Sequence, residues 1–345
     1  MSDKIKDIAI VGAGPAGLFG LFYASMRDMD AVLLDSLGVP GGQLAALYPE
    51  KYVYDMPGFP RITAGELAER MYEQAVMHRA QEVRLGARVE GLERYDDRDC
   101  FGLVTHTGQV VLARTVLVTT GAGAFRPNRL PLEHIAHLEG GCVHYFVKDK
   151  SAFEGKHVVI VGGGDSALDW VLNLHGYAAQ ISLVHRRDQF RAHEDTVRKV
   201  MALPDVGRYL HFEVKELDLG SNHQLEQVTI ENNKTAERLM LRADHVIVNM
   251  GFVASMGPVK DWGLELQGNH IKVSSTMETS RPGVYAAGDV TMYEGKIKLI
   301  ATAASEAAIG VSAAKQRIDP TERLQPAHSS SLFEEKKAAG AAAKE

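Results

Sequence analysis

Cysteine is scarce in this chain: 345 residues carry only Cys100 and Cys142. Two isolated thiols build no disulfide framework, so a disulfide-stapled secreted scaffold is excluded and a reducing compartment is expected. Basic charge is not in excess either. The formal net charge is -6, with 38 Lys and Arg against 44 Asp and Glu, and a nucleic-acid protein needs the opposite balance. Long apolar runs are missing, so no membrane span is expected. The charged opening Met1-Ser-Asp-Lys-Ile-Lys-Asp does not read as a signal peptide, which leaves the cytoplasm as the expected compartment. What remains is ordinary globular material, 45% hydrophobic and 24% charged, in a chain long enough for two cores.

The chain is organised around Ile8-Ala-Ile-Val-Gly12-Ala-Gly14-Pro-Ala-Gly17, followed by the apolar run Leu18 to Ala24. This predicts a strand, a tight glycine turn and a helix. Gly12 permits the turn, Gly14 lets a pyrophosphate approach the backbone, and Gly17 lets helix and strand pack closely. A second strand, Ala31-Val-Leu-Leu-Asp35, ends in an acid 23 positions after Gly12, where a carboxylate accepts from an adenosine ribose. A glycine pattern alone is weak; strand, helix and acid together predict dinucleotide binding.

The unit recurs at an offset of 150 as His157-Val-Val-Ile-Val-Gly162-Gly-Gly164-Asp-Ser-Ala167. The position equivalent to Asp35 closes the strand Ile181-Ser-Leu-Val with His185-Arg186-Arg187. An acid holds a free 2′-hydroxyl, whereas arginines hold a 2′-phosphate. The first site therefore reads as one for a nucleotide such as FAD, and the second as one for NADPH.

Between the repeats, Gly38 to Pro49 is expected to be a loop at the carboxyl end of the sheet. Gln43 there can donate and accept, as a flavin edge requires, and Tyr48 offers either a stacking ring or core packing. Thr63-Ala-Gly-Glu66 predicts a capped helix running to about Arg79. Small strands are expected at Val83–Val89, Cys100–Thr105 and Val110–Ala113, and a buried one at Val116–Thr119. Near the end, Gly288-Asp289 closes a strand, where Asp289 can bond the polyol of a flavin or simply cap a turn. The alanine-rich stretch from Ile300 predicts a helix to about Arg317, whose positive end favours charge on a reduced flavin. No basic docking face for an acceptor is localised, because Lys148, Lys150, Lys296 and Lys298 could form one patch or several.

These motifs together resemble the two-dinucleotide-domain flavoproteins of the thioredoxin reductase family, over nearly the whole chain and most of all their ferredoxin–NADP+ reductase branch. Gly41-Gly-Gln43 with Tyr48-Pro-Glu-Lys, and the terminal Gln325-Pro-Ala-His328-Ser329-Ser330-Ser331-Leu-Phe, carry the likeness to that branch. The resemblance implies an α/β fold of two Rossmann-like dinucleotide-binding domains, the NADPH domain inserted into the FAD domain. It divides the chain into an FAD domain at 1–124 and 252–330, an NADPH domain at 125–251 and a tail at 331–345. It further implies that Asp35, Gln43, Tyr48, Val89, Phe125, Asp289 and Ser330 contact FAD, with Tyr48 and His328 against opposite faces of the flavin. A thioredoxin reductase has a Cys-x-x-Cys pair ahead of its second glycine turn; here Cys142 has no such partner, so thioredoxin is not the expected substrate. The expected partner is ferredoxin or flavodoxin, with a homodimer as the family's usual state. No metal is called for. The rival readings are a diaphorase reducing quinone or ferric iron, and a non-catalytic flavin sensor.

Overall fold

The computed structural model describes residues 4–326 apart from 122, 134, 148, 222 and 223, with the backbone alone at 124–126 and 252–254. The chain forms two compact units, Met1–Ala124 with Ala254–Glu345, and Phe125–Val253. The crossings between them fall inside the short strands Ala124–Pro127 and Phe252–Ser255.

In the first unit a seven-stranded sheet holds Glu82–Arg84, Ala31–Leu34, Lys6–Val11 and Val110–Val118 in parallel, and Val284–Ala286 pairs with the last of these. Side chains alternate across a strand, and both faces here are buried. Ile8, Ile10, Leu33 and Leu117 therefore enter one core with the helices Pro15–Met26, Ala64–Val76 and Ile300–Ile318. Ala9, Val11, Val32, Leu34, Val116 and Val118 enter the opposite core with Phe101, Leu103 and Trp262. A strand buried on both faces reads as an unbroken apolar run, which is how Ile8–Val11 looks.

The second unit repeats the plan. Val143–His144, His245–Asn249, His157–Gly162, Gln180–His185 and Val206–Leu210 form a five-stranded parallel sheet. Val158 and Ile160 face Leu168, Val171 and Leu174 of the helix Asp165–Leu174. Val159 and Val161 face the antiparallel strands Phe212–Leu219, Leu225–Asn232 and Arg238–Arg242.

Four local expectations are corrected. The run Val83–Val89 is two strands, Glu82–Arg84 and Val89–Tyr95, because Gly86 turns the chain at a φ of +69°. Val110–Ala113 and Val116–Thr119 are one strand, Val110–Val118. Its first part pairs antiparallel with Cys100–Thr105 and its last part parallel with Lys6–Val11, so its burial changes from alternating to continuous midway. The helix from Thr63 ends at Val76, and only half of its capping box forms. Thr63 accepts the Glu66 N–H, but the Glu66 carboxylate pairs with Arg70 instead. The loop after Gly38 contains one helical turn, Gln43–Ala46.

Candidate functional site

The two glycine turns have the same geometry. A Cβ on Gly12 would lie 2.4 Å from the Thr119 carbonyl oxygen, and one on Gly162 would lie 2.4 Å from that of Asn249. A Cβ on Gly17 would lie 1.8 Å from the Gly12 oxygen, so the helix start is pressed onto the turn; Ala167, the third small residue of the second turn, packs against Gly162 instead. Gly14 and Gly164 differ from all of these: each is the N-cap of its helix, in extended conformation, with open space where a side chain would be. First-turn N–H groups have no partner within their own helix, and a bare glycine admits an anion to them.

Around the first turn the fold gathers residues from five segments of one unit. Asp35 follows the strand Ala31–Leu34 and is only 7% exposed. Its carboxylate accepts N–H groups from Ala13 and, at 2.6 Å, Leu37. Burial pushes its pKa up, against those two donors. The loop after it closes over the turn: Gly41 N–H donates to the Ala13 carbonyl at 2.8 Å, and a Cβ on Gly42 would touch the Gly14 Cα at 2.9 Å. The Gln43 amide lies beside Gly121, 3.4 Å from where a Cβ would stand. Tyr48 is half-buried, and its pKa is raised by burial and then by the nearby Asp289 carboxylate. Gly288, just before Asp289, sits 3.2 Å from the Ala16 Cβ by the same construction, and Ala303 in the first turn of Ile300–Ile318 lies beside it.

These residues fit FAD. Gly14 leaves a bare approach to a helix N-terminus, Gly42 can only be glycine where the loop crosses it, and the buried Thr120 hydroxyl beside Gly121 has no hydrogen-bond partner among the described residues. Of the residues the resemblance added, Val89 is 6% exposed, in the core on the Asp35 side, where Ala87 N–H donates to the Asp35 carbonyl. Only the backbone of Phe125 is described, and His328 and Ser330 lie outside the described residues.

In the second unit, Arg186 and Arg187 are exposed immediately after the strand Gln180–His185. His185 turns the other way. Its ring covers Gly163, stacks on Phe190 at 5.0 Å and meets the Gln189 carbonyl at 3.0 Å. Burial lowers its pKa, and the two arginine charges lower it further. Sequence reasoning missed Arg191, whose N–H donates to the Gly163 carbonyl at 2.7 Å and which is exposed over the same turn. Its signal was present as a third arginine four residues past Arg187. The second turn fits NADPH by the same test as the first: Gly164 is open, and the buried Asn249 side-chain oxygen has no hydrogen-bond partner among the described residues.

Two other expectations resolve here. Cys100 is buried in one unit and Cys142 half-buried in the other, and burial raises both thiols above their ordinary pKa. Of the four lysines, Lys296 belongs to no exposed patch: its side chain is 3% exposed and paired with Glu306.

Residues 6–307 match the pyridine nucleotide-disulphide oxidoreductase family. A protein of Oceanobacillus iheyensis named ferredoxin–NADP reductase 2 is 44% identical over 96% of this chain and 100% of its own. The ferredoxin–NADP reductase of Geobacillus kaustophilus is 47% identical over 96% and 98%. Among solved structures, T. acidophilum thioredoxin reductase superposes with a TM-score of 0.74 at 25% identity, covering 92% of this chain and 99% of its own. Lactococcus lactis thioredoxin reductase gives 0.73 at 25%, covering 90% and 98%. The chain is a member of the pyridine nucleotide-disulphide oxidoreductase family and groups within it with the ferredoxin–NADP reductases.

Proposed function

We propose that the chain is an FAD-dependent oxidoreductase that moves electrons between NADPH and ferredoxin or flavodoxin, as a cytoplasmic homodimer. One observation carries this reading: two glycine turns of matching geometry stand beside strands that end in opposite charge, Asp35 in one unit and Arg186-Arg187 in the other. The relatives named ferredoxin–NADP reductase supply the acceptor class. Bound FAD provides the conversion between a two-electron donor and a one-electron acceptor, so no protein acid–base pair is required.

The chain's own work is to bind and orient. Gly12, Gly14 and Gly17 hold the FAD pyrophosphate against the helix Pro15–Met26, and Asp35 accepts from the adenosine ribose. Gln43 would meet the flavin edge, Asp289 would take the ribityl hydroxyls, and Tyr48 would lie against one face of the ring, with His328 assigned to the other by the family resemblance alone. Val89, Phe125 and Ser330 would add the further contacts that the resemblance implies. Gly162 and Gly164 receive the NADPH pyrophosphate, while Arg186 and Arg187, joined by Arg191, hold its 2′-phosphate with charge-assisted hydrogen bonds. The N-terminal end of Ile300–Ile318 favours negative charge gained on reduction.

The test is steady-state reduction of ferredoxin, flavodoxin and quinone by the flavin-loaded protein with NADPH or NADH. Ferredoxin or flavodoxin should turn over fastest, and only well with NADPH. Quinone as the sole good acceptor replaces this reading with a diaphorase. Light scattering on the eluted protein tests the homodimer.

A further inference from the structure

Beneath the Gly288–Asp289 turn lies a polar cluster that the binding reading does not use. The Glu306 and Lys296 side chains are each 3% exposed and form an ion pair. One Glu306 oxygen accepts the Gly288 N–H at 2.7 Å. The other accepts the Tyr293 hydroxyl at 2.6 Å as well as Lys296. The Gly288 carbonyl accepts from Lys296 Nζ at 3.0 Å and from the Thr291 hydroxyl at 2.7 Å. Both backbone polar atoms of one glycine are thus held by buried charged side chains, from the helix Ile300–Ile318 and from the segment after the strand Val284–Ala286.

A buried ion pair is a poor way to stabilise a fold, because desolvation offsets most of its attraction and apolar residues of similar size serve as well. It is a good way to fix a backbone position. Gly288 sits at a φ of +84°, with a Cβ position 3.2 Å from Ala16 of the helix that begins at the glycine turn. The turn therefore lies close against that helix, with little room for a side chain at this position. The burial of Tyr293 and its bond to Glu306 hold its hydroxyl protonated, with a pKa pushed up to about 12, so it remains a donor throughout the working pH range.

We infer that Glu306 and Lys296, with Tyr293 and Thr291, are positioning residues that clamp the Gly288–Asp289 turn and thereby set the affinity for the flavin half of FAD. The inference rests on the proposed contact between Asp289 and FAD. It separates the two halves of the cofactor. The clamp's hydrogen bonds go to the turn that meets the ribityl chain, whereas the ADP half is assigned to Gly12, Gly14, Gly17 and Asp35, none of which is among the hydrogen-bond partners of Glu306 and Lys296 given above.

The experiment measures dissociation constants for FAD and for ADP on the full-length chain freed of flavin, by fluorescence quenching and calorimetry. The variants are Glu306→Ala, Lys296→Arg, Asp289→Ala and the double change Glu306→Gln with Lys296→Met. The double change leaves no unpaired buried charge, so it folds even if Glu306→Ala does not. The expected result is FAD affinity weakened by about tenfold or more in the double variant with ADP affinity unchanged, and near-normal FAD affinity in Lys296→Arg. Unchanged FAD affinity in the double variant, while Asp289→Ala weakens it, overturns the clamp. Equal losses for FAD and ADP also overturn it, by showing a merely structural role. Unchanged FAD affinity in Asp289→Ala removes instead the contact on which the inference rests, and the clamp with it.

Discussion

At the scale of single residues, the glycines of the first turn divide into those the fold requires and one the fold leaves open. Gly17 has no room for a methyl group: its Cβ would stand 1.8 Å from a backbone oxygen that cannot move aside. Gly17→Ala should destabilise the protein by about 1–3 kcal/mol or more in urea unfolding, losing FAD as a consequence. Gly14 has open space and an ordinary extended backbone. Gly14→Ala should cost only about 0.5–1 kcal/mol, from a poorer N-cap, yet weaken FAD sharply by filling the approach to the helix N-terminus. A Gly14→Ala protein that binds FAD as tightly as the parent contradicts the pyrophosphate assignment. The arginines divide from their neighbour in the same way. His185 is a packing residue whose ring covers Gly163, while Arg186 and Arg187 face solvent. Changing both arginines to Ala should raise KM for NADPH by roughly ten- to a hundredfold and leave that for NADH nearly unchanged. Parallel losses with both nucleotides indicate a structural role.

At the scale of elements, the strands Val143–His144 and His245–Asn249 meet in parallel and bring together two histidines that lie 101 residues apart. His144 Nε2 and His245 Nδ1 are 3.1 Å apart, and the Phe153 ring sets its edge against both. One ring must donate and the other accept, so the pair cannot tolerate two protons. Burial, with the His245 charge second, lowers the His144 pKa to about 4, and burial also lowers that of His245. A base whose pKa is lower folded than unfolded binds more protons when unfolded, so its neutral state stabilises the fold above the unfolded value. That contribution is lost as pH falls from about 6.5 toward 4. Melting temperature should therefore drop across this window, and the drop should be smaller in His144→Gln. An identical pH profile in that variant locates the acid sensitivity elsewhere.

At the scale of the whole molecule, the thiols belong to separate units, one wholly buried, and both are biased toward the protonated form. A thiol-based relay needs two sulfurs within bonding reach and one of them as thiolate. Replacing Cys100 and Cys142 together by Ala should leave NADPH-dependent reduction of ferredoxin at a similar rate. Loss of turnover in a variant that keeps its flavin shows sulfur chemistry after all. The likeness to the thioredoxin reductases named above is one of fold, on a chain whose two cysteines, Cys100 and Cys142, make no Cys-x-x-Cys pair.

What was legible in the sequence was local. The strand–turn–helix of Ile8 to Ala24, its repeat at His157, and the exchange of Asp35 for Arg186-Arg187 all follow from residue size and charge at short spacing, where chain geometry leaves few alternatives. The helix from Thr63 and that from Ile300 were visible for the same reason, through capping and composition. Strand limits were not, because the single strand Val110–Val118 serves two sheet geometries and no one periodicity describes it. Nor could Lys296 be told from a surface base. Its burial depends on Glu306 reaching back ten residues from a helix and on Gly288 arriving from a strand. Hydrogen bonds between distant segments exist only once sheet order has set which backbones are neighbours. The sequence by itself thus determined which two kinds of nucleotide the chain is built to hold. The tertiary structure alone decided that the loop at Gly41 and Gly42 closes onto the first glycine turn and that Lys296 and Glu306 are buried beside Gly288, because these contacts join segments far apart in the chain.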